Sequence, residues 1–389
     1  MVDAQKGGNT VTTDTPIHGT CAARFGPVKD AFVANFADSG EVGARIAVLR
    51  DGESVVDLWG GYRTKQRDVE WDNRTLVCCM SVSKGVTALA AHLLADRGLL
   101  DYEAPVARYW PQFAEGGKDK ITVRQALSHQ ASLAIIDSAE PGDALDWERF
   151  TAKIAAQRPN WPPGTNETYH SVTYGYIVGE IVRRVDGRRI EKFIAEEITR
   201  PLEADFIMGC TDADLERVAL QIPNPANELL AGAGLFNEKT RPMFAAMPSD
   251  PRFMGSPESL KAVIPSANGV SNGLGVARIF APFATGGEYR SRRFLKPATI
   301  RAAIEEQWHH AASLEGNDFR VAMGFLLNIP FTYLGREGNV GTAGAGGYTA
   351  FADPDHGISF GYTPNRFTSG QGLGREPKRI IDALYRCIS

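Results

Sequence analysis

The chain has 389 residues, 43 % of them hydrophobic, which is enough for one large core or two interlocked ones without cross-links. Its formal charge of −4 is mixed along the length, so it carries neither the basic footprint of a nucleic-acid binder nor a polybasic membrane patch, and a small molecule is the expected partner. Five irregularly spaced cysteines (Cys21, Cys78, Cys79, Cys210, Cys387), a polar N-terminus without an apolar signal core, and no apolar run of the roughly 18 residues that span a bilayer suggest free thiols in a cytoplasmic protein.

Residues 1–20 are small and polar and read as a loose tail. A helix is predicted from Gly26 to Ser39, followed by two alternating apolar runs on either side of Asp51-Gly52, a strong hairpin signal. From Ser81 to about Asp96, Val82, Val86, Leu89, Ala90, Leu93 and Leu94 recur at helical spacing, with Gly98 placed to cap the end. Residues 100 to 265 read as helices joined by Pro and Gly loops. Strand patterns return in "FRVAMGFLLNI", "GYTAFADP" and "GISFGYTPN", and "EPKRIIDALYRCI" closes the chain as an amphipathic helix. This order implies an α+β fold: one sheet built from both chain ends (21–80 and 265–389), with a mainly helical domain (81–264) inserted between. A cleft belongs where the two meet.

Three short segments carry possible chemistry. In Ser81-Val82-Ser83-Lys84 the first serine and the lysine sit three residues apart at a helix start. On one helix face they can touch, the free first-turn amides and the dipole favour a developing oxyanion, and a buried lysine loses its charge readily enough to act as a base. The same spacing also fits a capping serine with a solvated lysine. Tyr169-His170-Ser171 follows a Pro-Pro-Gly turn and precedes an apolar helix, so Tyr169 either projects into a cleft, where an ammonium would lower its pKa, or staples the loop. "VGTAGAGGYTAFADP" supplies glycines beside a strand, either for close approach to a ligand or for a tight hairpin. Ser271 in "NGVSNG" fits the G-x-S-x-G elbow, but Pro265 and Ser266 interrupt the strand that an elbow requires. His129 reads as a loop anchor. The seven histidines form no HExxH and no ligand-spaced cluster, so no metal or other cofactor is expected.

Together these segments, in this order, resemble the serine β-lactamase and penicillin-binding-protein superfamily, and most closely its family VIII carboxylesterases. The resemblance spans about residue 20 to the end. It implies Ser81 as acylated nucleophile, Lys84 as its activator and Tyr169 as the tyrosine of the second motif, whose third place is Ser171. It also places the third motif on Thr342-Ala343-Gly344 and the oxyanion donors on the N–H groups of Ser81 and Ala345. Thr342, Gly344, Ser171, Trp161, Tyr348 and His170 are expected around the substrate. Threonine at 342 offers no charge for a carboxylate, which argues against efficient β-lactamase or peptidase activity. The function implied is ester hydrolysis through an acyl-enzyme. Acyl transfer, amide or lactone hydrolysis, or a catalytically silent binding protein are the alternatives.

Overall fold

The hairpin at Asp51-Gly52 seeds the main sheet. Strands β2 (Gly43–Arg50) and β3 (Glu53–Gly61) pair antiparallel through a turn in which Asp51 and Gly52 have φ of +52° and +83°, the mirror-image turn that suits strand twist. The computed structural model describes residues 14–230, 237–250 and 253–388. Strand β1 (Ile17–Cys21) adds to the free edge of β3. The expected tail is therefore shorter than 20 residues: its polar, exposed His18-Gly19-Thr20 is an edge strand whose lack of alternation hides it from the sequence. Residues 1–13 of that expected tail lie outside the described residues.

The C-terminal part contributes β4 (Trp308–Ala311), β5 (Asp318–Val321), β6 (Leu326–Leu327), β7 (Val340–Gly344), β8 (Tyr348–Asp353) and β9 (Ile358–Pro364). Among the described residues, nine strands form one antiparallel sheet in the order β1-β3-β2-β9-β8-β7-β6-β5-β4. The two chain ends join where β9 lies along β2, from Ile358 opposite Arg50 to Pro364 opposite Ala44. The β-rich stretch "FRVAMGFLLNI" forms two short strands turned at Ala322 and Phe325.

Both faces of the sheet centre are covered, and the residues alternate accordingly. Ile46, Val48, Leu58 and Phe360 pack against α1 (Gly26–Asp38) and the C-terminal helix Arg375–Ile388. Ala47, Leu49, Ala350 and Ala352 face the opposite core, which contains α2 (Val82–Asp96), α3 (Thr173–Asp186) and α4 (Gly273–Ala284). Almost every residue of α2 is buried, including Lys84 and His92. A helix enclosed on all sides fits a central position in the core. Residue pairs Val77–Cys78, Phe206–Ile207 and Val270–Ser271 form a small antiparallel ribbon leading into α2. Strands of two residues leave no periodic trace. No described helix is long and apolar enough to cross a membrane.

Candidate active site

The ribbon strand Val77–Cys78 reaches α2 through Met80, whose φ of +50° is a costly value for a residue with a side chain. Two clamps hold this turn. Cys79 N–H donates to Gly269 O (2.9 Å), and Ser83 Oγ donates to Met80 O (2.7 Å) while accepting from Gly269 N–H (3.0 Å). Ser83, the second serine of the motif, is thereby structural. Ser81 is left at the N-terminal cap of α2, facing the cleft.

Lys84, one turn on, is 2 % exposed and donates from Nζ to Ser81 Oγ (3.0 Å) and to Ser266 O (2.8 Å). Burial pulls its pKa down from 10.5 to about 7, partly opposed by the charge of Glu315. A large fraction of Lys84 is therefore neutral near pH 7, so its amine can accept the serine proton.

Tyr169 stands across from this pair. Its ring is stacked between His129 (centroids 4.6 Å apart) and Phe319 (5.2 Å, 7° between planes), and Lys84 Nζ lies 4.8 Å from the ring centre. Its hydroxyl is close enough to Ser81 for that residue to favour the ionised form, though less than burial disfavours it. The sequence suggested that a nearby ammonium would lower its pKa. Instead the pKa is raised, because burial outweighs the Ser81 hydrogen bond and Glu315 adds to the rise. Tyr169 is thus a phenol, able to donate a proton, while Lys84 holds the basic position. His129 anchors this arrangement: Nδ1 accepts from His170 N–H at 2.9 Å, and its ring also stacks on Tyr174.

The end of β7 forms the other wall. Gly344 passes so close to the Ser81 turn that a Cβ there would lie 2.5 Å from Cys79 O and 3.1 Å from Met80 Cβ. Ser81 and Ala345 line the same cleft, and neither N–H donates to another backbone group outside the helix and strand ladders. The cleft holds about 610 Å³. Its walls are mostly apolar and include Phe244, Met247, Phe253, Met254, Phe319 and Phe331.

Ser81, Tyr169, Ser171, Gly344 and Ala345 all line this cleft. Four residues expected around the substrate do not. Thr342 is 2 % exposed and turned toward α2: its Oγ1 donates to Ser81 O (3.3 Å), and its methyl lies near Gly85. Tyr348 is paired opposite Gly344 on that same buried face, where its hydroxyl accepts from Gln221 (2.9 Å). His170 is buried behind Tyr169, bonded through Nε2 to Leu133 N–H and through Nδ1 to Thr168 O. Trp161 is half-buried on the Pro-Pro-Gly turn, away from the cleft lining. Ser271 is fully buried in the ribbon and donates to Asp205 O at 2.6 Å, which leaves it no access to a substrate. Glu315 and Phe319 enter the site from the β4–β5 region without having been singled out in the sequence.

A serine at a helix start, with a buried amine on its Oγ and strand amides opposite, set between a sheet and a helical layer, defines a serine hydrolase of the β-lactamase fold. The chain belongs to the Beta-lactamase family, whose model matches residues 29–385. It is 33 % identical over 373 residues to the esterase/beta-lactamase LipL of Mycobacterium tuberculosis, covering 91 % of this chain and 84 % of that protein. Among solved structures it resembles a penicillin-binding protein homolog from Caulobacter crescentus (37 % identity, TM-score 0.85, 96 % of this chain and 100 % of that one). A family VIII carboxylesterase is similar to the same degree (34 % identity, TM-score 0.85, again 96 % and 100 %).

Proposed function

We propose that the protein hydrolyses carboxylic esters of small, largely apolar molecules through an acyl-enzyme on Ser81. The observation that carries this reading is the buried Lys84 amine, 3.0 Å from Ser81 Oγ and with its pKa near 7. Lys84 Nζ takes the serine proton as Oγ attacks the ester carbonyl. The carbonyl oxygen becomes an oxyanion facing the Ser81 and Ala345 amides. On collapse the bond to the alcohol breaks, the Tyr169 phenol protonates the departing alkoxide, and the Lys84 ammonium returns a proton to the tyrosine oxygen. Water then attacks the acyl-enzyme by the same route and releases the acid. The aromatic and methionine-rich cleft favours uncharged acyl or aryl groups. Ester hydrolysis is also supported by the names of LipL and of the family VIII carboxylesterase.

The test is intact-mass analysis and peptide mapping after incubation with p-nitrophenyl acetate or a small fluorophosphonate, wild type beside Ser81→Ala. An adduct on Ser81 that disappears in the variant supports the reading. An adduct elsewhere, or none, removes it.

A further inference from the structure

Glu315 is a carboxylate inside the cleft that the mechanism above leaves without a task. The β4–β5 loop that carries it is docked on the segment just before Tyr169. Ser313 N–H donates to Glu167 O (2.9 Å), Leu314 N–H donates to Thr168 Oγ1 (3.2 Å), and Thr168 Oγ1 donates to Glu315 Oε2 (2.6 Å). Burial raises the Glu315 carboxyl above its ordinary value, and the Thr168 hydroxyl, the backbone amides of Glu315 itself and of Tyr169, and the charge of Lys84 oppose that rise in favour of the carboxylate. Its other oxygen, Oε1, is enclosed without a hydrogen-bond partner. A carboxylate held by one oxygen with the second buried and unpartnered is an expensive arrangement unless a charge nearby makes use of it.

The groups around Glu315 identify that charge. Lys84, whose Nζ lies 4.8 Å from the ring centre of Tyr169, the residue that follows the Thr168 anchor of Glu315, is the cation of this region, and each of the two favours the charged form of the other. Tyr169 adjoins it as a neutral phenol. Arg241 and Asp250 line the same cleft from the 237–250 segment, and Glu167, at the docking point, pairs with His310 at 3.1 Å.

We propose that Glu315 is a positioning residue for charge: its carboxylate, fixed by Thr168 beside Tyr169, stabilises the Lys84 ammonium that forms as Ser81 gives up its proton. The inference rests on the reading of Lys84 as the base. No proton needs to reach Glu315. The serine proton moves to Lys84 Nζ, the existing carboxylate attracts the new ammonium, and the interaction relaxes when that proton goes on toward the leaving alkoxide. The carboxylate thereby offsets part of the cost of forming a cation in an apolar enclosure. The same charge favours protonated Lys84 in the resting enzyme, so Glu315 raises the pH at which the base becomes available while lowering the barrier once it is.

These two effects have opposite signs, which separates them from a structural role. The measurement is the pH dependence of kcat/KM for p-nitrophenyl acetate in wild type, Glu315→Gln, Glu315→Asp, Thr168→Val and Lys84→Met. In Glu315→Gln the acid limb moves to lower pH by about half to one unit, and the plateau falls about tenfold. Glu315→Asp keeps the charge and restores the limb toward wild type. Thr168→Val removes the hydroxyl that favours the carboxylate, so it shifts the limb in the same direction by less, and it carries the test if Glu315→Gln does not fold. An acid limb that stays in place while kcat/KM falls equally at all pH values overturns the proposal. If Lys84→Met keeps the wild-type rate, the reading of the base fails. If Lys84→Met is inactive and the limb is indifferent to Glu315 and Thr168, the role of Glu315 alone fails.

Discussion

Gly344→Ala tests whether the oxyanion site depends on contact between β7 and the nucleophile turn. Gly344 does not have a positive φ, so alanine is compatible with its backbone and the effect is steric. The added Cβ would meet Cys79 O at 2.5 Å, Tyr348 Cβ at 3.0 Å and Met80 Cβ at 3.1 Å, all backbone or Cβ atoms that no rotamer change can move aside. Reaching ordinary contact requires β7 and the Ser81 turn to separate by roughly 0.9 Å. Displacements of about 1 Å cost on the order of 100-fold in well-positioned catalysis, and loss of one oxyanion donor costs a similar 10²–10³, so kcat should fall at least about 100-fold, or ~2.7 kcal/mol. Overpacking costs about 1–3 kcal/mol of stability, which leaves the fold intact. Steady-state hydrolysis of p-nitrophenyl acetate, read beside a urea unfolding curve, separates the two losses. A folded Gly344→Ala protein with kcat within about threefold of wild type would refute the assignment of the Ser81 and Ala345 amides.

Further predictions concern other parts of the site and fold. Ser271→Ala should retain acylation at Ser81, because Ser271 is buried against Asp205 O; loss of the adduct in a folded Ser271→Ala protein would reverse the choice of nucleophile. Lys84→Met should lower kcat/KM by about 10²–10⁴, the usual contribution of a positioned base. In wild type the base must be neutral, so the rate should rise with pH through about 7 and be lost below it, and a profile flat from pH 5 to 9 would contradict this. Burial raises the Glu41 carboxyl from 4.5 to about 8, and Tyr362 donates to its Oε1 at 2.5 Å. The fold thus favours the neutral acid: this contribution to stability is full below about 4.5 and is lost as pH rises through about 8, at up to about 1.4 kcal/mol per pH unit. Urea midpoints of wild type and Glu41→Gln should therefore diverge between pH 5 and 8.5, with wild type falling; parallel curves would remove the effect.

What could be read from the sequence was set by the range of the interactions involved. The hairpin was visible because Asp51-Gly52 encodes its own turn, and Ser81-x-x-Lys84 because both residues belong to one helix start. The edge strands β1 and β4 escaped because His18-Gly19-Thr20 and His309-His310-Ala311 are exposed and lack alternation. Glu315 carries no local signal, since the hydroxyl that fixes it is 147 residues away at Thr168. Thr342 and Tyr348 were misplaced for a different reason. Alternation along β7 puts Thr342 and Gly344 on one face, and the register with β8 sets Tyr348 opposite Gly344 on it, but only packing reveals that this face meets α2.

The orientation of Thr342 alters the argument about substrates. A third-motif side chain recognises a substrate only if it reaches the cleft, whereas Thr342 directs its hydroxyl to the Ser81 carbonyl and its methyl to α2. Thr342 thus ties β7 to the Ser81 turn, and selection of a substrate passes to the residues that do face the cleft. Near Ser81 these are Tyr169, Ser171 and Glu315, two hydroxyls and a carboxylate. A substrate carboxylate brought beside Glu315 would meet a like charge, whereas a neutral ester would not. Replacing Thr342 by lysine would consequently not restore affinity for carboxylate-bearing substrates: its ammonium would first have to displace the contact with Gly85 and the Ser81 carbonyl, loosening the turn that the oxyanion site requires.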